Sequence, residues 1–127
     1  LSGEWYVLNS SKLESYKNSS GGGWQVFSKW AFLNEYSDAF YDLEKRSEEL
    51  LEDYVFANLS KVSRAGVLCS HDQLVVPLLA YTTNKRANVR FYENNRWLNY
   101  LSGVAIIINS KGEARYIPIK SLETGTM

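Results

Sequence analysis

The stretch SRAGVLCSHDQLVVPLLAY, residues 63–81, decides how this 127-residue chain is read. It holds the only histidine, His71, and the only cysteine, Cys69. An apolar run precedes the His71-Asp72 pair and a second one follows it. RAGVLCS, residues 64–70, is short, apolar and without alternation. That pattern predicts a strand buried on both faces, typically a parallel strand of an α/β sheet. DQLVVPLLAYTT, residues 72–83, predicts a helix. Pro77 fits a helix that starts at Asp72 or Gln73, since it then falls near the end of the first turn, where few amides have an intrahelical acceptor.

Outward from this junction, Trp24 to Leu59 is periodic. Val26, Phe27, Trp30, Leu33, Phe40, Leu43, Leu50, Leu51, Tyr54 and Val55 recur near 3.6 residues, which predicts one long helix or two with a polar break. Asp42–Arg46 and Lys45–Glu49 stand at i,i+4 spacing. The charge run EKRSEELLED is read as a solvated helix face. Earlier, EWYVL predicts a short strand, and KNSSGGG, residues 17–23, reads by composition as a flexible connector. Beyond the central helix, NVRFYE alternates as a strand does, NNRW offers a turn, and GVAIIIN predicts a second buried strand. SKGE is a tight turn, and ARYIPIK a pairing strand whose Pro118 marks a sheet edge. The expected class is α/β, one domain over residues 1–127, with a sheet flanked by helices.

Composition narrows the function. Apolar residues make up 45% and charged residues 22%, a globular balance. Fourteen basic and fourteen acidic residues cancel, so no net field draws nucleic acid or an anionic membrane. No run approaches a membrane span, and no signal peptide is visible. The chain begins at Leu1, and its first residue is not expected to be the native start. One cysteine excludes an intrachain disulfide and a cysteine-rich zinc site, and no metal or cofactor is expected. GGG at Gly21 lacks the strand and the Lys-Ser/Thr of a phosphate loop. The sequons at Asn9, Asn18 and Asn58 carry little weight in a chain this rich in Asn and Ser. Cys69 is expected as a small core residue, and the aromatics, four of them Trp, as core rather than a stacking surface. NKRANVR, residues 84–90, reads as a solvated loop.

The His71-Asp72 pair has two readings. Ligands of open α/β sheets bind beyond the carboxyl ends of strands, and helix N-termini there form anion sites. His71 and Asp72 in that position can contact a phosphoryl oxygen and protonate a leaving group. Equally, Asp before a helix is a standard N-cap, and a lone His at a strand end is commonly structural.

LCSHDQLVVPLL resembles the C-terminal His-Asp motif of the histidine phosphatase superfamily, in the acid phosphatase and phytase branch. The continuation, NVRFYENNRWLNYLSGVAIIINSKGEARYIPIK, is similar to that family's ending, and the likeness covers roughly Ser63 to Lys120. The resemblance implies the C-terminal portion of a three-layer α/β/α catalytic domain that hydrolyses phosphomonoesters through a phosphohistidine. It implies that His71 is the second, non-nucleophilic histidine, binding the phosphoryl oxygens, and that Asp72 is the general acid. An extracytoplasmic location is implied in the same way. The family's Arg-His-Gly nucleophile motif is absent. The expectation is therefore a part of a longer enzyme, inactive alone and associating with a missing N-terminal half or with itself. The alternative is a non-catalytic binding or structural domain with a degenerate phosphatase-like fold.

Overall fold

The computed structural model describes residues 4–57, 66–85 and 102–119. Helix α1 spans Ser10–Ser20, α2 Gly23–Leu33 and α3 Leu43–Leu50. The last of these continues into a π-helical turn, Leu51–Phe56. Helix α4 spans Asp72–Thr82, and strands β1 (Gly103–Ile108) and β2 (Ala114–Ile119) form an antiparallel hairpin. The class is mixed α/β, with four helices and one two-stranded sheet among the described residues.

Local chemistry sets the helix ends. The Asn9 side chain accepts from the Lys12 amide at 3.1 Å and opens α1. Gly21, at φ 93°, closes it in the left-handed conformation that glycine adopts without strain. Asn34 does the same for α2 at φ 59°, its amide donating to the Trp30 carbonyl at 2.9 Å, while the Glu35 amide reaches Lys29. The polar break of the long periodic segment is thus Asn34–Asp42, which includes a 3-10 turn at Ser37–Ala39. Asp42 caps α3 by accepting from the Lys45 amide at 2.9 Å. It does not pair with Arg46 as its spacing suggested. Arg46 instead meets Glu49 at 3.1 Å and donates Nε to the Trp5 carbonyl at 2.7 Å.

The core is aromatic and lies between α2, α3, α4 and the N-terminal segment. The Trp30 ring stacks on Phe40 at 4.1 Å with planes 7° apart, and Phe27 and Tyr6 meet this pair edge-on. EWYVL forms no strand. Val7 makes a single bridge to Phe40, and the Leu8 and Asn9 amides both donate to the Ala39 carbonyl. That bridge ties the N-terminus to the break between α2 and α3.

Several expectations are corrected. Residues 66–70 form no strand and are exposed, with Val67 at 89% and Leu68 at 61%. No element among the described residues lies over them, so a run that reads as interior is bare. Cys69 is exposed for the same reason and is not a core residue. Residues 17–23 are the last turn of α1, a glycine turn and the start of α2. With a two-stranded sheet, the described residues do not make a three-layer sandwich. Pro77 lies in the second turn of α4, not the first, and is fully buried. β1 and β2 appear where expected, with the turn over SKGE, but β1 is half-exposed rather than buried. NVRFYE, NNRW, Trp97, Arg86, Arg90 and Asn58 lie outside the described residues.

Candidate functional site

Helix α4 carries the site. Its buried face is Leu74, Val76, Pro77, Leu79 and Ala80, and it packs on α2, α3 and β1. The helix begins where the sequence places it. His71 is the N-cap, with extended backbone at φ −94° and ψ 157°, and Asp72 is the first helical residue. The His71 carbonyl accepts from the Leu74 and Val75 amides, each at 3.0 Å. The amides of Asp72 and Gln73 precede these and have no acceptor within the helix. The His71 side chain is exposed and makes no capping hydrogen bond. The bland reading of Asp72 as N-cap is therefore corrected by one position, since the cap is His71.

Structure thus brings an exposed imidazole and two amides without an intrahelical acceptor together at the positive end of a helix dipole, an arrangement suited to anions. The ribbon before it, residues 66–70, supplies no second wall. No cluster of His, Cys, Asp and Glu suited to a metal occurs among the described residues. None of the helices they form is long and apolar enough to cross a membrane.

Sequence reasoning missed a feature at the other end of α4. An open groove of about 530 Å³ lies between the end of α2, the start of α3 and the C-terminal turn of α4. Asn34, Tyr41, Asp42, Glu44, Tyr81 and Lys85 supply its polar lining, above Trp30 and Phe40. The Tyr81 hydroxyl donates to Glu48 at 3.1 Å. Burial, then that hydrogen bond and the charges of Glu48 and Glu44, push the phenol up to about 12. Ten residues of helix put Tyr81 about 15 Å from His71, and His71 does not line the groove. The two regions are separate. No local motif announced the groove, because its walls come from two stretches, residues 30–44 and 80–85, that are far apart in sequence.

No family model matches the chain, and neither a curated protein nor a solved structure is significantly similar to it.

Proposed function

We propose that the chain is the C-terminal part of a histidine-type acid phosphatase, supplying His71 and Asp72 to a site completed by residues outside it. The observation that carries this reading is the start of α4: His71 at the cap, exposed, with Asp72 opening the helix. In the reaction, a nucleophilic histidine outside this chain attacks phosphorus. The phosphorus–oxygen bond to the leaving alcohol breaks, and Asp72 gives that oxygen its proton. His71 meets the non-bridging oxygens as their negative charge builds. The amides at the head of α4 point toward the same charge. The three-layer sheet that would seat this pair, and the extracytoplasmic location that goes with it, are part of the proposal.

The test uses the longer polypeptide encoded upstream of Leu1. Phosphomonoesterase activity should be present there and absent from the 127-residue chain. Asp72→Asn should cut turnover by about 10²–10⁴-fold, with the thermal midpoint nearly unchanged. An upstream sequence without Arg-His-Gly, or full activity in Asp72→Asn, would refute the assignment.

The second reading is a non-catalytic domain that binds a ligand. It draws on the single histidine of the chain and on the separate groove beside Tyr81. Phosphate that leaves the His71 ring resonances unmoved in both the chain and the longer protein would favour it.

A further inference from the structure

The groove beside Tyr81 is lined throughout by described residues, over the stacked rings of Trp30 and Phe40. At about 530 Å³ it falls within the range of small-molecule sites, roughly 300–1,000 Å³. Its backbone is unusual. Among the described residues, four other than glycine hold positive φ: Asn34 at 59°, Tyr36 at 58°, Asn84 at 53° and Lys85 at 63°. Three of them, Asn34, Asn84 and Lys85, line the groove. Asn tolerates this conformation, whereas lysine is uncommon there, and glycine is the ordinary residue at such a helix end. The Lys85 amide donates to the Ala80 carbonyl at 2.7 Å, which fixes the root of the lysine side chain at the groove. Backbone strain of this kind collects at ligand clamps.

The chemistry of the lining selects the ligand. Its charged residues are Asp42, Glu44 and Lys85. Asp42 is the cap of α3 and is offset by the positive end of that helix, which leaves Glu44 and Lys85 in balance. An anion would meet the carboxylates, and a cation the ammonium. An apolar ligand would strip water from carboxylate, amide and phenol groups without replacing it. A hydroxyl both donates and accepts, so a neutral polyol satisfies all of them. Tyr41, 39% exposed, and Tyr81 add ring surface to this lining. A tyrosine ring is apolar with a polar tip, matching the C–H face and hydroxyl rim of a sugar. We propose that the groove binds a neutral mono- or disaccharide, with Lys85, Asn84 and Glu44 bonded to its hydroxyls and Tyr41 and Tyr81 against its ring. The site is separate from His71 and stands under either reading of the head of α4.

Saturation-transfer NMR on the 127-residue chain tests this, with glucose, galactose, N-acetylglucosamine, maltose and cellobiose as separate probes. At least one should bind, and neither spermidine nor inorganic phosphate should displace it. Lys85→Gly removes the ammonium and relieves the backbone at φ 63°. It should weaken that sugar about tenfold, while the thermal midpoint holds or rises. Circular dichroism reports whether the variant folds. Should it not fold, Glu44→Gln, at an exposed position, should weaken the same sugar. Failure of every sugar to bind overturns the proposal. So does binding that the folded variants leave unchanged, or that spermidine or phosphate displaces. None of these readouts involves His71, so the result is independent of the phosphatase reading.

Discussion

Tyr6 and Ser47 meet through their hydroxyls at 2.9 Å across 41 residues of chain, both excluded from solvent. The bond joins the N-terminal segment to the middle of α3. Around it, the Arg46 guanidinium lies 3.8 Å from the Trp5 ring centroid and 4.4 Å from that of Tyr41, and the Trp5 indole donates to the Arg46 carbonyl at 3.1 Å. A segment without regular structure is thus held by polar bonds and cation–π contacts on one side of the aromatic core.

Removing one partner of a buried pair should cost more than removing both. Tyr6→Phe or Ser47→Ala should each destabilise by about 1–3 kcal/mol, because each leaves a buried hydroxyl alone. The double variant should fall short of the sum of the two. Urea denaturation of the four proteins, arranged as a double-mutant cycle, reads the coupling. Strict additivity would show that the bond contributes nothing.

Alkaline pH should loosen the fold within a defined window. Burial raises the Tyr6 phenol from 10.0 to about 12, and Tyr81 is raised to about 12 as well. An unfolded chain gives up these protons near pH 10, while the folded one keeps them to near 12. Unfolding therefore releases protons in this interval, and stability falls as pH rises through it; below pH 10 neither tyrosine contributes a slope. Thermal midpoints taken from about pH 9 upward should decline, and less steeply in Tyr6→Phe.

Neighbouring glycines should respond differently to alanine. At Gly21, φ 93°, a Cβ meets nothing within 4 Å, so the cost is confined to backbone strain of about 1–2 kcal/mol. At Gly22, φ 141°, a Cβ would also come within 2.9 Å of the Trp24 ring. Gly22→Ala should therefore be the more damaging, with a visible change in tryptophan fluorescence. Equal midpoints in guanidinium titrations would contradict this.

Legibility of the sequence varied with the kind of signal. The start of α4 could be read because a helix former with a buried apolar face follows a polar pair and Pro77 limits the options. The hairpin could be read because SKGE supplies Gly112 at φ 83° between two β-rich runs. The bare ribbon at residues 66–70 could not, since an apolar run has one pattern whether or not something covers it. α1 was hidden for the opposite reason: among its residues only Leu13 is buried, so it carries almost no hydrophobic period. As for the site, the placement of His71 and Asp72 at a helix head was accessible from spacing. The groove near Tyr81 was not, being assembled from segments some forty residues apart.

The wide turn at Leu51–Phe56 has one more consequence. A π turn holds a residue beyond what the α repeat needs, and here it begins beside the buried Leu50 with Leu51, itself buried. One residue of this turn is thus dispensable. Excising exposed Glu52 should let the helix relax to ordinary pitch with Ala57 still in phase, whereas the same deletion within α2 would rotate Trp30 out of its stack.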